Sequence, residues 1–394
     1  MTNPNAPQVS IARKTKEVLR RHVERMLRRL PVSRLAFAER GAFAAQLRAL
    51  EVAEPDRDRL SAAAQVEALD PHKLEDLVPV LRSTDERILM ATLCRDADVL
   101  PRVANAGAVV SQLDGTAVQI MHNGIKVLAG GYYGAWMQEL ITRCSGVHEP
   151  QEEVAFAEIM KHLSNNTTMM ELGGFWSYYS IWFLSGGAGH RAVVVEPDPA
   201  DIDVGNTNAR LNACQPKFIQ AFVGRQSSPP SVFKTEESGE VELPCISVAD
   251  LMALEGIHYL DVLHCDAQGA ELDVLEGCQD LAQAGRLGWI VVSTHSHHIS
   301  GDPLTHQRCL GLLARAGATI LAEHDIHESF SGDGLIVAKF GPVPEGWQKP
   351  TLSYNRYSES LFRNPLYDLA AARQEALRSA SRLGVNSTKL AMRG

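Results

Sequence analysis

The chain reads Met169-Met-Glu171-Leu-Gly173-Gly174-Phe-Trp-Ser177-Tyr-Tyr-Ser180 and, after a short gap, Arg191-Ala-Val-Val-Val-Glu196-Pro-Asp198. An apolar run, a glycine turn, a helix and a second apolar run that ends in an acid are typical of a βαβ unit in a nucleotide-binding sheet. Two parallel strands need a crossover of a dozen or more residues, and the separation of 25 positions between Glu171 and Glu196 provides it. The stretch predicts a doubly wound fold in which Glu196 binds ribose hydroxyls.

The glycines of this turn narrow the choice of ligand. Dinucleotide enzymes use G-x-G-x-x-G to bring the backbone against a pyrophosphate, whereas this turn is E-x-G-G-x-x-S, with Gly173 and Gly174 adjacent. A ligand that has an adenosine but no phosphate fits such a turn better, and S-adenosylmethionine is one. The acids Glu171 and Glu196, which end the first two strands, suit its hydroxyls and its positive charge.

Strands and helices alternate through the following sequence, as a doubly wound fold requires. The segment Ser331-Gly-Asp-Gly334 is too short to hold a helix, so the seventh strand should run antiparallel to the sixth. A dinucleotide sheet would be wholly parallel. We therefore expect an α/β fold with the Rossmann-like seven-stranded sheet of class I methyltransferases and an α-helical N-terminal domain. The strands are predicted at 168–172, 191–196, 217–223, 259–265, 288–293, 318–323 and 335–340.

We divide the chain into four parts. Residues 1–110 are predicted as a helical N-terminal domain and residues 111–150 as a β-hairpin and an aromatic and acidic connector. The hairpin prediction rests on the Asn123-Gly124 turn. Residues 151–342 are predicted as the S-adenosylmethionine-dependent methyltransferase domain, and 343–394 as a C-terminal extension with one helix, at about 365–382.

Charge and hydropathy limit the partners. The net charge of −9 argues against nucleic-acid binding, yet residues 13–40 carry a local balance of +7 with leucines at helical spacing. This basic helix is expected to pack on its own protein or on a sister subunit, which would make a homo-oligomer; a membrane surface or an acidic partner is the alternative. No apolar stretch approaches the roughly 20 residues of a transmembrane segment. The first 21 residues lack a signal peptide's apolar core, so we expect a cytoplasmic protein.

The ends of the fourth and fifth strands carry the candidates for chemistry. Ligands of open α/β sheets bind outside the carboxyl ends of the strands, so Asp266, Gln268 and His295 should face the cofactor or the acceptor. Imidazole, with an ordinary pKa near 6.5, is the usual side chain to take a proton near neutral pH, which makes His295 the candidate base and Asp266 its catalytic neighbour. Glu271 is either a site residue or an acid of a first helical turn. A divalent metal held by His295, Asp266 and Asp325 is an alternative that we do not predict.

Aromatic and acidic residues upstream are candidates for the acceptor side. Flat rings and carboxylates suit the faces and hydroxyls of sugars, although a core role for the rings is an equal alternative. His297 is a further candidate, with a surface or hydrogen-bonded loop histidine as its alternative, and His298, His324 and His327 are expected to be such loop histidines. The acceptor-side candidates are Tyr132, Tyr133, Trp136, Glu149, Glu152 and His297.

With these residues quoted, the chain resembles the FkbM-type family of S-adenosylmethionine-dependent methyltransferases over roughly residues 118–340. The resemblance rests on the segments 171–180 and 192–197, the asparagines of 206–212, the element Ser247-Val-Ala-Asp250-Leu and the segment 261–271. It implies an O-methyltransferase that acts on a hydroxyl of a sugar, a glycan or a natural product. The implied methyl-donor site comprises Glu171, Gly173, Glu196 and Asp266. We add Gly174, Ser177, Asp250 and Gln268 as further cofactor-binding candidates.

The chain departs from the family pattern at three positions. Phe175 stands where the usual glycine loop has an asparagine, Ser177 replaces its last glycine, and Gln268 stands where an acid is common. Two other functions stay open. One is a nicotinamide-dependent oxidoreductase on a related sheet, and the other is a non-catalytic interaction module that uses the basic helix.

Overall fold

The computed structural model describes residues 83–235, 238–302 and 304–355. All of them belong to one compact unit, Pro79–Asn364. The predicted basic helix at 13–40, the rest of the N-terminal domain up to residue 82 and the C-terminal helix at 365–382 lie outside the described residues.

A seven-stranded mixed sheet forms the centre of this unit, in the order β12-β13-β11-β10-β4-β5-β6. Strands β11, β10, β4, β5 and β6 are mutually parallel, while β13 is antiparallel to both β11 and β12. This arrangement confirms the expected class I methyltransferase sheet with its antiparallel last strand. The strands are β4 Thr168–Leu172, β5 Arg191–Val195, β6 Lys217–Ile219, β10 Leu260–Cys265, β11 Leu287–Thr294, β12 Thr319–His324 and β13 Gly334–Lys339.

The inner strands are continuous apolar runs because helices cover both faces of the sheet. Strand β11 is buried along its whole length, and the valines of β5 have the β-branched side chains that fit a pleated surface. Met169 and Val262 belong to one apolar layer and Met170 and Leu263 to the other, as alternation along a strand requires. The parallel strands therefore end together at one edge, supported by a core on each side.

The helices of the described residues alternate with the strands. Helix α5 begins with Pro199 in its first turn after Asp198, the start signal that the sequence contains. The bounds are α1 Thr84–Leu93, α2 Ala135–Arg143, α3 Pro150–Met160, α4 Tyr178–Ser185, α5 Pro199–Leu211, α6 Val248–Leu254, α7 Glu271–Gly277, α8 Gln279–Gln283, α9 His297–Ser300 and α10 Thr305–Arg315, with 3-10 turns at Asp96–Val99 and Ile326–Glu328.

Two small sheets flank the central one. The first contains β1 Val109–Ser111, β2 Ala117–Ile120 and β3 Lys126–Leu128, and the Asn123-Gly124 turn joins its last two strands as predicted. The second, in the order β7-β9-β8, contains β7 Phe222–Val223, β8 Ser228–Lys234 and β9 Glu240–Ile246. The sequence analysis did not predict this second sheet.

Two predicted boundaries are wrong. The helical region expected over residues 1–110 has its last α-helix at Thr84–Leu93 and a 3-10 turn at Asp96–Val99, and β1 begins at Val109. Pro101 lies in the irregular segment before β1, where a helix would lose a hydrogen bond. The third strand, expected over 217–223, ends at Ile219, because Phe222 and Val223 pair with β9 instead. Among the helices that the structure describes, none combines the length and the apolar character needed to cross a membrane.

Candidate active site

The glycine turn lies at the carboxyl edge of the sheet, between β4 and helix α4. Gly173 has a φ of +75°, and a side chain there would collide with the backbone carbonyl oxygen of Asp266 at the end of β10. Phe175 and Ser177 also adopt left-handed conformations, with φ of 35° and 57°. Such strain in non-glycine residues gathers at functional sites. The turn thus brings the ends of β4 and β10 into direct backbone contact.

Glu171 and Glu196 both bind the backbone of this turn. The Oε2 atom of Glu171 accepts a hydrogen bond from the N–H of Ser180 at 3.0 Å, which satisfies a donor in the first turn of α4. Glu196 accepts from the N–H of Phe175 and from the N–H of Asp198, each at 2.9 Å. Burial raises the pKa of each of these two carboxyl groups to about 7. Two buried acids therefore flank the turn, where a cationic or hydroxyl-bearing ligand would be stabilised.

The other predicted cofactor residues occupy different settings. Gly174 packs against Val194, and the Oγ atom of Ser177 is buried without a hydrogen-bond partner. Asp250 is exposed and accepts hydrogen bonds from the hydroxyls of Ser227 and Ser247. Gln268 is exposed with a φ of 47°. Their cofactor roles stay predictions.

Asp198 is a helix cap, as the Asp-Pro signal predicts. Its Oδ1 atom accepts from the N–H of Ala200 at 2.9 Å. Its Oδ2 atom accepts from the N–H of Ser238 at 2.9 Å, so the same carboxylate also binds the turn between β8 and β9. The second sheet is thereby attached two residues beyond Glu196.

His295 follows β11 and is surrounded by carboxylates. Its Nδ1 lies 2.8 Å from Oε1 of Glu271, the first residue of α7. Its Nε2 lies 3.2 Å from Oδ1 of Asp266 and 3.8 Å from Oδ1 of Asp333, and it makes no hydrogen bond to either. The imidazole is 1% exposed, whereas Asp333 is 26% exposed. Glu271 thus fixes the ring, and Nε2 is directed toward the two aspartates.

The electrostatics of this group favour the charged imidazole. Burial by itself lowers the pKa of His295, but the charges of Asp333 and Glu271 outweigh it and raise that pKa well above its ordinary value. Burial raises the pKa of Asp333. The close approach and the positive charge of His295 lower the pKa of Asp266 in spite of its burial. The cluster therefore holds a proton between three carboxylates.

A second set of buried ion pairs surrounds the start of helix α3. The ring nitrogens of His148 lie 2.7 Å from Glu153 and 3.1 Å from Glu149. Burial would lower the pKa of His148, but the charge of Glu149 and its hydrogen bond outweigh this and raise the pKa to about 10. Burial raises the pKa of Glu149 to about 7. Glu152 differs because one oxygen lies 2.6 Å from Nε2 of His264 and the other accepts from the hydroxyl of Ser293.

The predicted aromatic residues form a continuous group beside the glycine turn. Tyr132 stacks on Trp176 with ring centres 4.4 Å apart and an interplanar angle of 4°. Tyr133 lies 5.4 Å from Phe175 and 6.2 Å from Trp136, measured between ring centres. All three predicted rings, Tyr132, Tyr133 and Trp136, pack against the apolar core without being fully buried. These rings adjoin the glycine turn and retain accessible surface.

Sequence reasoning missed three residues of this site. Asp333 entered the sequence analysis only as part of the short connection 331–334, His264 lies within a strand, and His148 precedes a helix that begins with proline. The signal that could have found them is a histidine or an acid among apolar residues or glycines. The predicted His297 begins the short helix α9 and is partly exposed. His324 is buried with Nδ1 3.1 Å from the carbonyl oxygen of Asp325. Within the described ranges, no group of three His, Cys, Asp or Glu side chains is placed to hold a metal ion.

Comparison with known proteins identifies the domain that carries this site. The sequence from 158 to 320 matches the family described as the methyltransferase FkbM domain. Residues 158–320 form a methyltransferase FkbM domain. The match confirms the expected family of S-adenosylmethionine-dependent methyltransferases and, with it, S-adenosylmethionine as the cofactor. It covers less than half of the chain and includes the glycine turn, Glu196, Asp266 and His295, but not Asp333.

The FkbM domain also has distant likenesses among solved structures, and no curated protein matches the chain. The precorrin-6y C5,15-methyltransferase of Geobacter metallireducens GS-15 aligns at 13% identity with a TM-score of 0.32, over 48% of this chain and 88% of that one. The M. capricolum TrmK in complex with S-adenosyl-homocysteine aligns at 12% identity with a TM-score of 0.29, over 50% of this chain and 71% of that one. The magnesium protoporphyrin IX methyltransferase of Synechocystis PCC 6803 aligns at 11% identity with a TM-score of 0.32, over 48% of this chain and 77% of that one. Likenesses this distant carry no functional argument.

Proposed function

We propose that this protein is an S-adenosylmethionine-dependent O-methyltransferase that acts on a hydroxyl of a sugar, a glycan or a natural product. The observation that carries the proposal is the Glu271–His295 pair, whose Nε2 is directed at the carboxyl edge of the sheet. A hydroxyl is a poor nucleophile until its proton is removed. An imidazole oriented by a buried carboxylate is the arrangement that serves this task in other nucleophilic sites.

The glycine turn and its two acids fit the cofactor. Glu171 and Glu196 are buried acids beside a backbone turn that admits no side chain at Gly173. Glu196 would accept from ribose hydroxyls, and Glu171 would face the positively charged methionine end. The buried, unpartnered Oγ of Ser177 is a further polar atom in this turn. When bound, S-adenosylmethionine supplies an electrophilic methyl group on a sulfonium.

The gap beside His295 fits an acceptor hydroxyl. Nε2 of His295 and Oδ1 of Asp333 are 3.8 Å apart, too far for a hydrogen bond between them. An oxygen about 2.8 Å from both atoms would bridge that gap with ordinary hydrogen bonds. The acceptor oxygen then forms its bond to the methyl carbon as the carbon–sulfur bond breaks, and Nε2 of His295, in the neutral form of the imidazole, takes the hydroxyl proton. Asp333, which the sequence did not predict, would position the hydroxyl.

The side chains around this gap support an acceptor with hydroxyls and a flat face. Tyr133 and Trp136 retain accessible ring surface near the turn, and Glu149 is 12% exposed. Glu152 has both oxygens engaged by His264 and Ser293, so its contribution would be to hold β10 and β11 against α3 rather than to bind the acceptor directly. The antiparallel β13 favours this proposal over the nicotinamide-dependent alternative, which expects an all-parallel sheet.

The test is the variant His295→Ala compared with His258→Ala, which changes an exposed histidine. We expect turnover of a hydroxylated acceptor to fall about 10²-fold or more in His295→Ala, because general-base catalysis contributes typically that much. Affinity for S-adenosylhomocysteine, measured by calorimetry on the same samples, should change little in either variant. A screen of sugars, glycans and phenols with a radiolabelled methyl donor identifies the acceptor used in this assay. Full turnover in His295→Ala would remove His295 from the mechanism.

A further inference from the structure

Arg87 has a setting that the methyltransferase domain does not explain. It lies on helix α1, outside the matched domain, and its guanidinium carbon is 4.5 Å from the centre of the Trp136 ring. Its Nε is buried without a hydrogen-bond partner, and none of the ion pairs or side-chain hydrogen bonds within the described ranges includes Arg87. The Trp136 ring packs against the guanidinium, and the terminal nitrogens have no hydrogen-bond or ion-pair partner among the described residues. A guanidinium presented in this way is suited to bind a carboxylate or a phosphate through two parallel hydrogen bonds.

Two independent observations place Arg87 on the acceptor side. The first is the aromatic row from Phe175 in the glycine turn through Tyr133 to Trp136, on which Arg87 rests. The second is electrostatic, because the charge of Arg87 acts to lower the pKa of Asp333, whose Oδ1 is 3.8 Å from Nε2 of His295. Arg87 therefore lies at the far end of the aromatic row and within electrostatic reach of Asp333.

We propose that Arg87 binds an oxyanion, a carboxylate or a phosphate, carried by the acceptor itself. The inference rests on the proposed function and narrows its substrate class to acidic hydroxyl compounds such as uronic acids and sugar phosphates. The surrounding charges support one orientation of such a molecule. Asp266 and Asp333 already lie beside His295 at the methyl-transfer position, whereas Arg87 lies at the Trp136 end of the aromatic row and attracts an anionic group there. The neutral hydroxyl is thereby left facing His295.

The test uses the full chain saturated with S-adenosylhomocysteine and measures binding of three sugars by calorimetry. D-glucuronate and glucose 6-phosphate carry the two oxyanions, and glucose is the neutral reference. We expect at least one anionic sugar to bind ten-fold or more tightly than glucose. Arg87→Gln should reduce that preference to about two-fold or less, and Arg87→Lys should keep part of it, because a lysine retains the charge but not the planar fork.

The control is Arg95→Gln, which changes an exposed arginine that pairs with Asp98 on the same segment. It should leave the preference unchanged. The proposal is overturned if wild type shows no preference, including the case in which none of the sugars binds, or if Arg87→Gln keeps the preference. A lower melting temperature of Arg87→Gln with the preference intact would show that Arg87 only packs on Trp136. Failure of wild type to bind S-adenosylhomocysteine would overturn the proposed function as well, which distinguishes the two failures.

Discussion

His295 is surrounded by Glu271, Asp266 and Asp333, and this environment should determine how turnover depends on pH. The raised pKa of His295 means that its imidazole carries a proton at neutral pH, whereas a base must be neutral to accept one. We expect turnover to rise as the pH increases above neutrality. Glu271→Gln removes a buried negative charge, so the pKa of His295 should fall and the rise should move to lower pH, with a plateau reduced about ten-fold or more. Profiles of kcat between pH 6 and 10 measure both effects.

The control for that prediction is Glu276→Gln, which changes an acid on the same helix that pairs with Arg225. Its profile should superimpose on that of wild type. A Glu271→Gln profile that also superimposes would show that the Glu271–His295 contact does not influence the proton-accepting step.

The sequence predicts the site residues that directly follow a strand better than those that reach the site from a loop or from another helix. His295 and Asp266 were found because the carboxyl ends of parallel strands meet at one edge. Asp333 and Arg87 were not found, because one lies in a short connection and the other on a helix outside the family match. Nothing in local spacing indicates that Asp333 approaches His295 or that Arg87 packs on Trp136. The choice between the two predicted roles of Glu271 likewise needed the 2.8 Å contact with His295.

The elements of the central sheet were predictable, whereas the small β7-β9-β8 sheet was not. The five inner strands of the central sheet, β4, β5, β10, β11 and β13, are largely buried and mostly apolar, which is a strong local signal. The alternation in β9, Glu-Val-Glu-Leu-Pro-Cys-Ile over 240–246, is the signal that was present and unused. Strand β8 carries Pro229 and Pro230 and is exposed throughout, which is why its sequence does not resemble a strand. Proline is tolerated there because β8 lies at the edge of its sheet.

Asp198 joins two elements, and its removal should loosen both. Its carboxylate caps α5 through the N–H of Ala200 and accepts from the N–H of Ser238 at the β8–β9 turn. We expect Asp198→Ala to lower the free energy of unfolding by about 1–2 kcal/mol, the usual cost of losing a helix cap. Asp198→Asn should cost less, since asparagine caps about as well as aspartate, although its single amide oxygen leaves the N–H of Ser238 without this acceptor. Urea unfolding of the two variants makes the comparison, and equal losses in both would assign the effect to charge instead of capping.

At the scale of the whole molecule, one short connection predicted the topology. The segment 331–334 leaves no room for a crossover helix, and β13 is accordingly antiparallel to β12. The buried ion pairs could not be predicted in the same way, because they join residues far apart in the chain. Glu152, for example, meets His264 and Ser293 across 112 and 141 positions. Only the folded sheet places these three side chains together.

The raised pKa values of the buried histidines and glutamates predict that the protein becomes less stable as the pH rises. The pKa of His148 is raised to about 10 and that of His264 to about 9, so their stabilisation is complete below the unfolded value of 6.5 and is lost as the pH passes through those values. The pKa values of Glu149, Glu171 and Glu196 are raised to about 7 from 4.5, so folding also favours their protonated forms and stability falls between those values. Urea unfolding at intervals from pH 5 to 10 should show a continuous decline. His148→Gln should flatten its alkaline part, whereas His258→Gln, which changes an exposed histidine, should not. A free energy of unfolding that is constant or increases from pH 5 to 10 would contradict these assignments.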